Sequence, residues 1–470
     1  MKSDTLEKLS AKQVRSGLTL VVKDGLAAEA MATLTGGAFL IAMALNMGAS
    51  NFQIGVLAAL PTIANIFQLT AVWLVQKYNN RRVISVICSI IARSPLFVIG
   101  LLPIVMKNGT SVQMLIILIF FHYLFGSIVG AVWNSWMKDL VPEKMLGSYF
   151  SHRSRLIQIL NVTLSLVIAV MLDHVKSHYP HYENTAYSIM FIVGGAFGML
   201  GVYLLSRTPE PRAPLLQENI FLLLRKPLQN KNFRKFLLFN SFWAFSLNIA
   251  TPFITIFLLK TVHLPLSYVI GLGIASQFSS ILSIRAWGKY SDRFSNKTVI
   301  RICAPVYAVC IFAWTLTENF VSPLSSIFFL LLISIGSGIS TAGVNLAMSN
   351  ISLKMAPKED AIVYISARNM ITSLFPAIAP VLGGLMADFF ASHSLSWSMQ
   401  WTTPSGNSMV HLLELQHWSF FFFIGAVLAM ISLRLLKDVT EEGEIKREVM
   451  VSTMMHQFKS AIGYKTGHRA

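Results

Sequence analysis

Twelve apolar stretches of helical length run along the chain, at residues 22–47, 52–75, 83–105, 112–136, 154–173, 186–205, 235–259, 266–286, 298–317, 323–347, 361–388 and 415–436. About 20 apolar residues carry an α-helix across the hydrocarbon of a bilayer, so each stretch predicts one membrane span. The first holds Glu29 and opens on Lys23–Asp24. The eleventh contains Pro376 and Pro380, which a membrane helix tolerates when neighbours re-satisfy the freed backbone groups. The connections are short and polar except for two. One is "RTPEPRAPLLQENIFLLLRKPLQNKNFRKF", a proline- and base-rich linker after the sixth stretch; the other is a Trp-rich loop over 388–418, expected to be an interfacial aromatic segment.

Composition agrees with this pattern. The chain of 470 residues is 54% hydrophobic and only 13% charged, against about 25% charged in a soluble domain, so no large soluble domain is expected. The net charge of +17 raises the question of nucleic acid. Its distribution answers that, because Lys and Arg fall in alternate connections: Lys77, Arg81 and Arg82, then Lys138, then Arg207 to Lys235, then Lys289 and Arg293, then Lys354. The opposite connections carry only Lys107, Lys176 and Lys260. That asymmetry is the signature of cytoplasmic loops, so both termini are expected in the cytoplasm and no nucleic acid is needed. The N-terminus is polar for too long to be a signal peptide and is expected to be a cytoplasmic leader. Cys88, Cys303 and Cys310 sit in apolar runs without metal-ligand spacing, so free thiols, no metal and no cofactor are expected.

Two polar stretches repeat each other. "VPEKMLGSYFSHR", Val141 to Arg153, and "APKEDAIVYISAR", Ala356 to Arg368, share Pro, Tyr, Ser and Arg at an offset of 215 residues. The same offset takes Met171 and Asp173 to Met386 and Asp388, Cys88 to Cys303, and Arg82 to Lys297. The chain is therefore expected to be two homologous six-helix bundles, 22–205 and 235–436, with a leader 1–21, a central loop 206–234 and a tail 437–470. Such a duplication places a solute site between the halves, near mid-bilayer, in several transporters.

Between the eighth and ninth stretches the chain reads "GKYSDRFSNK", Gly288 to Lys297. This resembles the loop signature of the major facilitator superfamily. With twelve spans and a half-to-half repeat, the resemblance covers nearly the whole chain. It implies the major facilitator fold, all-α with two pseudo-symmetric six-helix bundles. It also implies a cytoplasmic gate built from Gly288, Asp292 and Arg293 together with Arg153 and Arg368 at the fifth and eleventh spans. The first-half copy, "WLVQKYNNRR", has Lys77 in place of the acid, and a partner for it is expected in Glu359 or Asp360. The fifth span lacks the Gly- and Pro-rich pattern of many drug/proton antiporters, which weighs against multidrug export.

Charges inside the bilayer are costly and mark function by default. Glu29, Arg93 and His122 are therefore the candidates for proton coupling or for holding a substrate charge. The family architecture turns spans one, four, seven and ten to the cavity, which brings in Thr33, Trp133, Asn134, Asn240, Trp243, Asn248 and Asn345. The pairs Gly36–Gly37 and Gly126…Gly130 are expected to serve close helix packing. The expected function is secondary active transport of a small polar organic solute across the cytoplasmic (inner) membrane, proton-coupled and inward, by a lipid-embedded monomer. The alternatives are an exporter of drug-like or siderophore-like compounds and, from another class, a membrane enzyme or a non-transporting sensor. For an enzyme, the sequence offers no phosphate loop, metal spacing or Ser-His-Asp set.

Overall fold

The computed structural model describes residues 10–105, 110–142, 145–211, 227–319, 323–355, 361–403, 406–416, 418–441, 444 and 449–450. Among them, twelve helices are long and apolar enough to cross a membrane. Spans 1 to 6 are Ala11–Asn46, Asn51–Tyr78, Arg81–Val105, Ser111–Leu140, Leu146–His178 and Pro180–Ser206. Spans 7 to 12 are Lys231–Lys260, Leu266–Phe294, Asn296–Thr317, Ser325–Met355, Arg368–Phe390 and Ser419–Leu436. The membrane-spanning part of the protein is thus a multi-pass α-helical bundle, as its apolar pattern predicts. Val167, Leu282 and Phe328 are exposed on the spans, on faces that lipid would cover.

Several spans are interrupted. The helix of span 1 stops at Thr35 and resumes at Gly37. Gly37 has φ +55°, a left-handed conformation that glycine adopts without steric cost. Span 7 breaks at the equivalent place, with a 3₁₀ turn over Thr251–Phe253. Gly36 and Gly37 therefore act as a helix break and not as a packing surface. A Cβ on Gly126 or Gly130 would meet nothing within 4 Å, so close packing does not explain that pair either. Span 3 loosens at Ser94, because Pro95 has no N–H to offer the preceding turn.

The chain forms two compact units. Unit 1 is Met1–Glu218 with Pro252–Gly271 and Pro380–Asp388; unit 2 is Asn219–Thr251, Leu272–Ala379 and Phe389–Ala470. Unit 1 has two apolar clusters, one around Trp136, Met137 and Leu205 and one around Ala71, Cys88 and Val132. Unit 2 has a larger aromatic core in which Phe233, Phe236, Phe239 and Trp243 of span 7 pack with Cys303, Ala304 and Ala308 of span 9. The segment after span 11 is not an irregular loop. Ser394–Thr403 (β1) and Gly406–Gln416 (β2) pair antiparallel, from Ser394 against Gln416 to Thr403 against Gly406, with one register shift at Trp397/Ser398.

Candidate functional site

Span 1 presents polar groups at two levels along its length. Glu29 and Thr33, one turn apart, meet Asn161 of span 5, whose Nδ2 donates to Glu29 Oε1 at 2.8 Å and to Thr33 Oγ1 at 3.1 Å. Asp24, nearer the start of the span, is only 4% exposed. It lies among Arg93 of span 3 and Arg153 of span 5, whose charges both act on it. The absence of a side chain at Gly201 of span 6 makes room for the pair. A Cβ there would stand 2.6 Å from Arg93 Nη1 and 3.0 Å from Asp24 Oδ1.

Each guanidinium has a further hold. Arg93 Nη1 donates to the Gly198 carbonyl at 2.6 Å, and the Arg153 guanidinium lies over the Trp133 ring at 4.8 Å. Asp24 Oδ1 has no hydrogen-bond partner. One buried carboxyl group thus faces two buried or half-buried cations, with an oxygen left to spare. An unsatisfied charge in a dry site is expensive, so its persistence calls for a function.

A cavity of about 350 Å³ adjoins Arg93. Its polar lining is Asn65, Ser89, Arg93, His122, Tyr123 and Ser127, with Met31 from span 1. Where Pro95 loosens span 3, the Ala92 carbonyl accepts a hydrogen bond from His122 Nδ1 at 2.7 Å. That contact fixes the proton on Nδ1 and leaves Nε2 an acceptor in the neutral ring. The Ser89 hydroxyl is 1% exposed and unpartnered. The cavity therefore offers a permanent cation, an imidazole with an acceptor nitrogen and the unpartnered Ser89 hydroxyl, a set suited to a polar solute with oxygen or nitrogen groups.

Of the residues singled out from sequence, Arg93 and His122 share this cavity, while Glu29 is tied to Asn161 instead. Trp133 carries Arg153, and Asn134 and Asn345 are exposed. Trp243 lies in the aromatic core of unit 2 at 3% exposure, and Asn248 donates to the Ala244 carbonyl of its own helix. Asn240 is buried with Nδ2 unpartnered. Among the gate residues, Arg153 is engaged with Asp24, Trp133 and the Val21 carbonyl inside unit 1. A Cβ on Gly288 would make an ordinary contact with Leu346 at 3.9 Å; Asp292 and Arg293 are exposed, Arg293 over the Phe294 ring. Arg368 keeps Nε buried and unpartnered. Lys77 sits over the Trp73 and Tyr78 rings, at 4.8 and 5.3 Å. Its expected partners Glu359 and Asp360 lie outside the described residues.

Sequence reasoning missed Asp24, which it took as a helix start, and a pair of helix caps on the side of the basic connections. Glu210, after span 6, accepts the N–H groups of Arg81 at 2.6 Å and Arg82 at 3.0 Å, the first residues of span 3. Arg81, 4% exposed, also pairs with Asp139 at 2.6 Å. Glu441, after span 12, accepts those of Asn296 at 3.2 Å and Lys297 at 2.7 Å, the first residues of span 9. Lys297 Nζ reaches Glu444 at 2.9 Å. A carboxylate at a helix N-terminus satisfies orphan donors and complements the dipole. Burial pushes the Glu441 carboxyl up, but hydrogen bonds from the Lys297 backbone, the Asn296 side chain, Lys354 and the Asn296 backbone outweigh it, and the group titrates below its usual range. The "TPE" after span 6 and the "TEE" after span 12 were the signal available in the sequence.

The sequence model of the Major Facilitator Superfamily matches residues 25–352 and, in a second placement, 244–460. No curated protein sequence matches the chain. Three solved structures are similar in fold. The nucleoside transporter NupG has a TM-score of 0.63 at 16% identity, covering 91% of this chain and 98% of that one. The inward-open xylose transporter XylE from E. coli gives 0.61 at 14% identity, over 94% of this chain and 99% of that one. A bacterial homologue of the human lysosomal transporter Spinster, inward-facing and unoccupied, gives 0.59 at 20% identity, over 81% and 84%.

Proposed function

Because this chain belongs to the Major Facilitator Superfamily, and so is a membrane transporter working by alternating access, we propose that it takes up a small polar solute with the proton gradient and that Asp24 carries the coupled proton. The observation behind this is the buried Asp24 carboxyl, whose Oδ1 has no hydrogen-bond partner and which feels the charges of Arg93 and Arg153, with Arg93 lining the neighbouring cavity. When Asp24 is ionised, it competes with solute for the Arg93 guanidinium. When it is protonated, Arg93 is released to bind solute acceptors by charge-assisted hydrogen bonds. Solute and proton therefore each favour the binding of the other, and that reciprocity is the thermodynamic content of symport.

Asp24 fits the role better than Glu29, because the Glu29 carboxyl already has a neutral hydrogen-bond donor in Asn161, whereas Asp24 acts on Arg93, which lines the cavity. The basic connections would face the cytoplasm, placing the site in a cytoplasmic membrane. Reconstituted protein with an imposed pH gradient, offered labelled nucleosides, pentoses and organic acids, tests the reading. The wild type should accumulate one of these classes in response to the gradient. Asp24→Asn should lose gradient-driven accumulation, by at least about tenfold, while retaining solute exchange across the membrane. Loss of coupling in Glu29→Gln with Asp24→Asn unaffected would transfer the proton to Glu29.

A further inference from the structure

On the side of the bundle where Lys and Arg are scarce, two aspartates near the ends of spans 5 and 11 each hold the start of another helix. Asp173 accepts the backbone N–H of Leu266 at 2.8 Å through Oδ1 and that of Ser267 at 2.7 Å through Oδ2. These are the first residues of span 8. Asp388 accepts the Asn51 side-chain amide at 3.0 Å through Oδ1 and the Phe52 N–H at 3.3 Å through Oδ2. These are the first residues of span 2. The offset of 215 residues maps Asp173 onto Asp388, Asn51 onto Leu266 and Phe52 onto Ser267. One contact is built twice.

Both contacts lie inside unit 1, which takes from the second half of the chain only the segments Pro252–Gly271 and Pro380–Asp388. Those two segments contain the start of span 8 and the end of span 11, while the remainder of both helices belongs to unit 2. So the aspartates tie the ends of second-half spans to the first half. Neither aspartate forms a salt bridge among the described residues; their partners are neutral amides at helix N-termini. Asp388 is exposed and Asp173 half-buried, so water can replace the protein donors at modest cost. Carboxylate and helix N-terminus attract without being locked together.

The two ties are unequal in a way the sequence explains. Span 2 has its own capping box, with Ser50 Oγ accepting from Gln53 at 3.2 Å and Gln53 Oε1 accepting from Ser50 at 2.9 Å. Asp388 is then not needed to form that helix. Span 8 follows Leu264–Pro265, neither of which has a side-chain oxygen, so Asp173 supplies its cap from another span.

We propose that Asp173 and Asp388 are a symmetric pair of latches that hold the Lys/Arg-poor side of the transporter closed, and that releasing both is part of opening the site to that side. This rests on alternating access alone and is independent of which group carries a proton. The test uses the full chain in nanodiscs, with Cys88, Cys303 and Cys310 replaced by alanine in a background whose melting point matches the wild type. Spin labels at Tyr182 and Ser392 report on the latch side, and labels at Tyr78 and Lys289 on the basic side. Asp173→Asn and Asp388→Asn should each raise the ratio of open to closed distances on the latch side by about threefold, with Asp173→Asn the larger, and the double variant by about tenfold. The basic-side pair should move reciprocally toward its short distance, and Asp→Glu at both sites should restore most of the wild-type distribution. An unchanged latch-side distribution in the double variant would overturn the proposal. So would widening on both sides together, which would mark general loosening of the fold.

Discussion

At equivalent places in its two halves the protein solves one packing problem in opposite ways. The 215-residue offset takes Asp24 and Arg93 to Phe239 and Ala308, a small acid and a long base in one half, a large ring and a small methyl in the other. Phe239 is fully buried and Ala308 is 1% exposed. Beside them, the cavity residues Pro61, Ser89, Tyr123 and Ser127 become Ser276, Ala304, Gly338 and Ala342. At Gly338 an added Cβ would collide with the Ser276 carbonyl, so spans 8 and 10 pack backbone to backbone there, whereas spans 2 and 4, joined by the Ser127–Ala64 hydrogen bond, border a cavity. The first half keeps charge and space, and the second spends the same positions on cohesion. Among the described residues, only the first half has a buried ionic group at these positions.

The sharpest way to break this contrast is to remove one member of the ionic group. Arg93→Leu should destabilise by about 3–5 kcal/mol, because it strands Asp24 against fewer positive charges. Installing the second half's pair, Asp24→Phe with Arg93→Ala, should recover most of the melting temperature while abolishing transport. Melting curves and proteoliposome uptake on the same preparations check both. A smaller effect is expected from space-filling. Gly338→Val should cost about 1–3 kcal/mol by forcing spans 8 and 10 apart, whereas Gly126→Val, with nothing within 4 Å of its Cβ, should stay within about 1 kcal/mol of wild type.

The smallest effect concerns a place where the halves agree. Glu441 titrates below its ordinary value in the folded state, so its contribution to stability is present above about pH 4.5 and is lost as pH falls through the depressed value. Glu441→Gln should lower stability by about 1 kcal/mol at pH 7, and the gap from wild type should close in acid. Thermal unfolding from pH 7 to about pH 3.5 measures that closure.

Legibility in the sequence followed the range of the forces involved. Spans were readable because each must be apolar over its own length, and the repeat was readable because Asp173, Cys88 and Arg82 have counterparts at one offset. The ionic centre was not. Asp24, Arg93, Arg153 and Gly201 come from spans 1, 3, 5 and 6, and no spacing along the chain announces that they converge. Glu29 drew attention by lying deeper in its apolar run, yet depth says nothing about which neighbour it finds; Asn161 was that neighbour. The hairpin after span 11 was legible in principle. Leu395, Trp397, Met399 and Trp401 alternate with Ser396, Ser398 and Gln400, the period of a strand, before turn-forming residues. Its aromatic content obscured that alternation.

The matching breaks at Gly36–Gly37 and Thr251–Phe253 carry a historical consequence. From there through Asp173 and Asp388, the starts of spans 2 and 8 and of spans 3 and 9 keep the same numerical distance from their twins, although many side chains between them differ. A single inserted residue would rotate the remainder of a helix by about 100° and turn its buried face into the lipid. Helix register accounts for the fixed spacing of these starts while the letters between them differ. The hairpin of the second half lies past Asp388, where an altered count twists no upstream helix out of place.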